Sequence, residues 1–343
     1  MDVDLSLASH TTLRVGGPAD SWHTAESDDA LVAAVTAADS DGRPVLLLGG
    51  GSNLLVADEG FRGTVISVET RGVTVVETGR DEVTLTVAAG EVWDDVVSRV
   101  VAHGWSGVEA LSGIPGRVGA TPVQNVGAYG QEVAQVIRSV RVLDRRSGAV
   151  SDLASENCSF AYRTSALKQD PQRWVVLSVT MQLRTGDLGT VSYAELADAL
   201  GTEIGGSADV QAIRGAVLSL RARKGMVLSE SDHDTWSAGS FFTNPVVSEA
   251  TAGALPDGCP RFPASDGVKV SAAWLIGEAG IERGYALPGS RAAISTKHSL
   301  ALCNRGGATA AEVVDLARDV RAHVHAAFGI TLEPEPVLVG LTL

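Results

Sequence analysis

The chain has 343 residues, 45% of them hydrophobic and 20% charged, enough to bury the cores of about two or three domains. A formal net charge of −14 repels phosphate backbones and anionic bilayers, so nucleic acid and membranes are poor partners, although Arg163, Arg221, Arg223, Lys224 and Lys269 can still hold an anionic small molecule in a cleft. The start carries no basic segment followed by an apolar run, no stretch approaches the roughly 20 apolar residues of a membrane helix, and three scattered cysteines, Cys158, Cys259 and Cys303, fit neither a disulfide framework nor a metal site, so a reducing cytoplasm is expected.

In chain order, Leu31, Val32 and Val35 share one face of a helix over 28–38, and the apolar run Val45 to Leu48 reads as a buried strand. Val83, Leu85 and Val87 alternate as a half-buried strand. Trp93, Val96, Val97, Val100 and Val101 follow at helical spacing up to Gly104. Val140 and Val142 lead into a turn at 145–148. Residues 174–183 put Val175, Leu177, Val179, Met181 and Leu183 on one face of a long strand, so the middle of the chain is mainly sheet. Residues 186–237 are polar with short helical pieces, including 209–223, and read as a link to a third unit beginning near residue 227. The last helix is well marked. Thr309 and Glu312 form a capping box, Val313, Leu316, Ala317, Val320 and Val324 line one face, and Gly329 stops it before a final strand over 337–343.

The 38 glycines make about 11% of the chain against roughly 7% in average usage, and they cluster in two tracts. In Gly49-Gly50-Gly51-Ser52-Asn53 a strand delivers three residues without side chains, so backbone N–H groups can approach a pyrophosphate closely; a glycine-rich turn fits the same pattern. The dinucleotide pattern G-x-G-x-x-G fails at Leu54, and no P-loop motif occurs. The second tract, 113–130, has five glycines, two prolines and almost no charge, with Gln124, Asn125 and Tyr129 as its hydrogen-bonding groups. It reads as a loop wrapped on a large flat ligand, or as a tight structural connection.

These tracts, LGGGSN and LSGIPGRVGATPVQNVGAYG, with TLRVGGPAD, AYRTSALK, GSFFTNP, KVSAAWLI, STKHSLALCN and LEPE, resemble the UDP-N-acetylenolpyruvoylglucosamine reductase (MurB) family over nearly the whole chain. The resemblance implies an α+β fold: an FAD-binding domain of the vanillyl-alcohol oxidase (PCMH) type in two lobes, plus a separate α+β substrate-binding domain. The lobes are expected at 1–67, with 330–343 returning to it, and at 68–226, and the substrate domain at 227–329. It implies non-covalent FAD held by Gly49, Gly50, Gly51, Ser52, Asn53, Leu54, Ser112, Gly113, Ile114, Pro115, Gly119, Ala120, Gln124, Asn125, Gly127, Ala128 and Tyr129.

By the same resemblance Arg163 and Glu335 act on the substrate carboxylate and Ser240 donates a proton. Tyr193, Lys224, Asn244 and Lys269 bind the nucleotide-sugar, and Tyr193 lies on a mobile loop found in one subtype of the family. His298 is given a structural role. Two positions depart from the family pattern: Pro336 stands where a β-branched residue is common and Val337 where a basic residue is found. The implied reaction takes a hydride from NADPH to FAD and then to the enolpyruvyl β-carbon of UDP-N-acetylglucosamine enolpyruvate, a step in which the cofactor carries the hard chemistry. A flavoprotein oxidase of the same superfamily is the alternative. It would often tether its flavin, but no histidine or cysteine occurs in 45–60 or 111–130. A nucleotide-sugar binding protein without activity would not need Arg163, Ser240 and Glu335 together.

Overall fold

The computed structural model describes residues 5–77, 79–264 and 266–343, and the chain forms two compact units. One takes residues 20–50 and 62–227, the other residues 5–19, 51–61 and 228–343. Residues 1–4, at the start of the expected first lobe, lie outside the described residues.

The first of these units is built on an antiparallel sheet in the spatial order Ala149–Ala154, Ile137–Asp144, Trp174–Thr185, Glu82–Ala88, Val73–Glu77. Its long central strand buries Val175, Leu177, Val179, Met181 and Leu183, as the period of two requires. Against them packs the helix Trp93–Ala102, whose Trp93, Val96, Val97, Val100 and Val101 are all buried in the same core. Each such side chain stabilises the fold by roughly 1.5–3 kcal/mol relative to an exposed one. A smaller sheet pairs Val45–Leu48 in parallel with Phe61–Val68, flanked by Ala19–Ala25. Its helix, Asp28–Ser40, starts where the Ser27 hydroxyl accepts the Ala30 N–H, and it buries Leu31 and Val35.

Residues 186–227 depart from the polar link expected of them. Strands Leu188–Thr190 and Ser207–Asp209 pair, and helices Ala194–Leu200 and Val210–Arg223 close over a separate small core of Val191, Leu196, Ala197, Ile213, Val217 and Leu220. The reason lies in spacing: Ile213, Val217 and Leu220 fall at i, i+4 and i+7 behind polar neighbours, and the Asp209 carboxylate caps the helix by accepting the Gln211 and Ala212 N–H groups.

In the second unit, Ser237–Ser240, Ala301–Asn304 and Ala292–Ile294 form one three-stranded sheet, and Val246–Val247, Gly267–Val270 and Arg261–Ala264 form another. Helix Ala310–Phe328 buries the face read from its sequence. Both halves of its capping box are made, and it ends at Gly329 with φ +67°. Its first turn is further held by Asp58, whose carboxylate accepts the Ala310 and Ala311 N–H groups. The final strand is shorter than expected, Val337–Val339, and pairs in parallel with Leu54–Val56. Pro336 loses nothing by lacking an N–H, because the first tail donor to this pairing is Val337, which bonds the Asn53 carbonyl at 2.9 Å. The three cysteines are free and buried, and no helix of the described residues is long and apolar enough to cross a membrane.

Candidate active site

The glycine tracts are required first by how closely the chain packs on itself. A Cβ on Gly50 would lie 2.7 Å from the Cα of Gly116, so the first tract crosses the second backbone to backbone. Beside it the Arg117 side chain covers Gly49 and turns its guanidinium onto Glu69 at 2.7 Å. In the other unit Gly51, at φ +60°, has the His10 carbonyl 1.9 Å from where a Cβ would stand.

The second tract is pinned along its length. The Trp93 N–H donates to Gly116 O at 3.0 Å and the Gly119 N–H to Ala89 O at 2.8 Å. Gly113, at φ +70°, donates its N–H to Asp94 Oδ1 at 2.6 Å. Asn125 is buried at φ +47° and its amide serves the loop itself: Nδ2 donates to Glu132 Oε2 and the Ala161 carbonyl, and Oδ1 accepts the Ala134 N–H. Tyr129 and Arg163 also hold positive φ, +48° and +56°, a conformation costing roughly 1–2 kcal/mol for a residue with a Cβ. Arg163 sits in the turn 161–164, clamped by Lys168 on its carbonyl, and its Nη2 donates to Gly127 O at 3.0 Å. The Arg163 guanidinium is thus laid on the glycine tract.

At the head of the tract, Asp94 takes Gly113 and a two-pronged contact from Arg214 at 2.6 and 2.8 Å. Burial works to raise the Asp94 carboxyl, but the bonds from Arg214 and Gly113 and the charges of Arg214 and Arg221 outweigh it and hold the group below its ordinary value. Arg221, one helix face along, donates Nη2 to Met226 O, while its buried Nε, next to Gly113, has no hydrogen-bond partner among the described residues. A buried donor in that state calls for an anionic or carbonyl ligand. At the tail of the tract the Tyr129 ring meets Tyr193 edge-on with centroids 5.7 Å apart, and Lys224 Nζ lies 5.8 Å from the Tyr129 centroid. Burial pushes the Tyr129 hydroxyl up to about 12. Tyr193 is 46% exposed, and Lys224 pairs with Glu195 in the first turn of helix Ala194–Leu200. One unit thus gathers Arg163, Arg221, Tyr193 and Lys224 on the second tract.

The other unit gathers Ser240 and Glu335. The strand Ser237–Ser240 bends at Gly239, φ +76°, and continues so that Phe241 donates to Leu300 O and accepts the Glu335 N–H at 2.8 Å. Asn53 Nδ2 donates to Glu335 O at 3.3 Å, which ties the end of the first tract to the same place. Ser240 Oγ faces His298 Nε2 at 3.4 Å. Asn244 turns its Oδ1 to the Ala272 N–H, at the start of helix Ala272–Glu278. Lys269 stands on the strand Gly267–Val270, over the Phe262 ring. Asp94 was not legible as a site residue, since an acid in a first helical turn is commonplace. His298 stands 58 residues from Ser240, a separation without a local pattern.

This geometry sits in a recognised class. Residues 21–154 match an FAD binding domain, and the fold is α+β with that domain of the vanillyl-alcohol oxidase type. Residues 231–339 match "UDP-N-acetylenolpyruvoylglucosamine reductase, C-terminal domain". The reductase of that name from Saccharopolyspora erythraea is 53% identical, covering 98% of this chain and 95% of its own, and that of Streptomyces coelicolor is 51% identical over 99% and 90%. The crystal structure of UDP-N-acetylenolpyruvylglucosamine reductase (MurB) from Thermus caldophilus is similar with a TM-score of 0.67 at 28% identity, covering 97% of each chain. The chain belongs to the UDP-N-acetylenolpyruvoylglucosamine reductase family.

Proposed function

We propose that this chain is a cytoplasmic UDP-N-acetylmuramate dehydrogenase, an NADPH-dependent flavoprotein that converts UDP-N-acetylglucosamine enolpyruvate to UDP-N-acetylmuramate in peptidoglycan synthesis. Half-identity to reductases of that name along the full length carries the reading. In domain terms it corresponds to FAD-binding lobes at 1–67 with 330–343 and at 68–226, and a substrate domain at 227–329.

The residues fit FAD. The glycine tracts offer groups at Gly49, Gly50, Gly51, Ser52, Asn53 and Leu54 and at Ser112, Gly113, Ile114, Pro115, Gly119, Ala120, Gln124, Asn125, Gly127, Ala128 and Tyr129, and the buried Arg221 Nε supports a ligand oxygen beside Gly113. Neither tract holds a histidine or cysteine, so the cofactor is non-covalent. Bound there, FAD supplies the hydride relay from NADPH to the substrate's β-carbon. Arg163 and Glu335 each act on the substrate carboxylate, and the arginine stabilises the charge that grows on the neighbouring carbon. Ser240 gives the α-carbon its proton. Lys224, Asn244 and Lys269 hold the nucleotide-sugar, and Tyr193 closes over it. An oxidase of the same superfamily would not need a proton donor at Ser240.

The test is Ser240→Ala. NADPH reduction of the flavin stays near the unchanged rate, while reoxidation by the enolpyruvyl substrate slows by about 10² to 10⁴. Equal slowing of both halves in rapid mixing means that Ser240 positions a group common to both, and its role as proton donor is wrong.

A further inference from the structure

A serine that gives up its proton is left as an alkoxide, a poor resting state that must be reprotonated before the next turnover. Among the described residues the structure sets the His298 side chain against that oxygen. His298 Nε2 lies 3.4 Å from Ser240 Oγ, a reach that commonly tightens when substrate binds. The approach is built by backbone. Ser240 pairs with Ala301 across the sheet, the Phe241 N–H donates to Leu300 O, and the Ala301 N–H donates to His298 O at 3.2 Å. The His298 N–H donates to the Ser295 hydroxyl at 3.3 Å, and Ser295 is fully buried. A turn with both ends fastened thus presents the ring to Ser240.

We propose that His298 is the proton carrier behind Ser240, an inference that rests on Ser240 being the proton donor. As the Ser240 O–H bond breaks and a C–H bond forms at the α-carbon, the Nε2–H of the His298 imidazolium breaks and its proton restores the hydroxyl. The imidazole then takes a proton from water. The electron pair of the reduction arrives with the hydride, so only protons move along Ser240 and His298. Histidine suits this task because it exchanges protons near neutrality, which a serine cannot.

The charged groups on the surrounding elements are largely matched. Lys297, next in the turn, pairs with Asp232. Asp234 is held by the Thr296 N–H and hydroxyl and by Arg305. Burial would raise Asp234, but those bonds and the Arg305 charge hold it below its ordinary value, so it stays a carboxylate. Glu335 follows on the segment bonded to Phe241. His298 remains the side chain that faces Ser240 Oγ.

The experiment uses the full-length, flavin-loaded enzyme in anaerobic rapid mixing, comparing His298→Gln with the unaltered protein across pH. Glutamine keeps a hydrogen-bond donor at that reach but has no proton it can give up near neutrality. His298→Gln is expected to leave flavin reduction by NADPH unchanged, to slow reoxidation by the enolpyruvyl substrate about 10-fold or more, and to remove its decline at high pH. An unaltered pH profile and rate overturn the proposal. If Ser240→Ala leaves reoxidation untouched, the donor reading itself fails; if Ser240→Ala slows it and His298→Gln does not, only the carrier is lost. A readout independent of turnover and of the variant's folding is nuclear magnetic resonance of the His298 ring nitrogens in the unaltered protein. A ring that changes protonation state across the pH range of the kinetic profile is expected, and one that holds a single protonation state throughout overturns the role.

Discussion

One methyl group tests whether the two glycine tracts depend on their mutual crossing. In Gly50→Ala the new carbon would stand 2.7 Å from Gly116 Cα, 3.2 Å from its carbonyl carbon and 3.3 Å from its nitrogen. Carbon atoms settle at about 3.5–4.0 Å, so the tracts must part by roughly 0.8 Å or more. No flexible side chain can give way, because the obstacle is backbone held at Gly116 O by Trp93 and at Gly119 N by Ala89. Overpacking of this kind costs about 1–3 kcal/mol. Gly215→Ala adds the same methyl in the middle of helix Val210–Arg223, where nothing lies within 4 Å, and should stabilise by about 0.5–1 kcal/mol. Urea unfolding of both variants, with the flavin absorbance retained through gel filtration, reads the two effects. Gly50→Ala is expected to be less stable and largely flavin-free, Gly215→Ala more stable and fully yellow. A Gly50→Ala protein with unchanged stability and full flavin refutes the reasoning.

Tyr193→Ala removes the exposed ring that meets Tyr129 edge-on; it should raise the KM for the UDP-sugar several-fold while leaving flavin reduction by NADPH unchanged, and equal KM values count against a lid. Asp94→Asn discards the carboxylate that holds Gly113 and Arg214, and chemical denaturation at pH 7 should show a loss of about 1.5–3 kcal/mol, typical of hydrogen bonds to a charged group. Because the folded Asp94 titrates below the ordinary 3.8, its stabilisation is full above that value and fades as pH falls through the folded one, so the gap between the two proteins should narrow only in that acid range. A gap unchanged down to pH 2 contradicts the ion-pair account.

Much of the fold was legible because its signals are local. The capping box at Thr309 and Glu312, the glycine stop at Gly329 and the alternation along Trp174–Thr185 each bind residues a few positions apart, and all appear in the structure. The helix over 209–223 was legible, but the core it closes was not, because the stripe of Ile213, Val217 and Leu220 is interleaved with Arg214, Gly215 and Ser219, and its partner Leu196 lies on another helix. The site is less legible for the same reason. Asn125 finds its partners at Glu132, Ala134 and Ala161, and the left-handed backbone at Tyr129 and Arg163 leaves no trace in residue type, since neither is a residue that favours it. Arg163, Ser240 and Glu335 were singled out only through resemblance to a family, because an arginine, a serine or a glutamate alone carries no chemistry in its spacing.

The central claim is that this chain passes electrons from NADPH through FAD to an enolpyruvyl ether. Anaerobic visible spectroscopy of the purified protein tests it directly. The protein should be yellow, release its FAD into the supernatant on acid precipitation, bleach on one equivalent of NADPH, and regain its colour on one equivalent of UDP-N-acetylglucosamine enolpyruvate with formation of UDP-N-acetylmuramate. A flavin that bleaches but is not reoxidised by that substrate, and regains colour only with oxygen, would contradict the reductase and favour the oxidase.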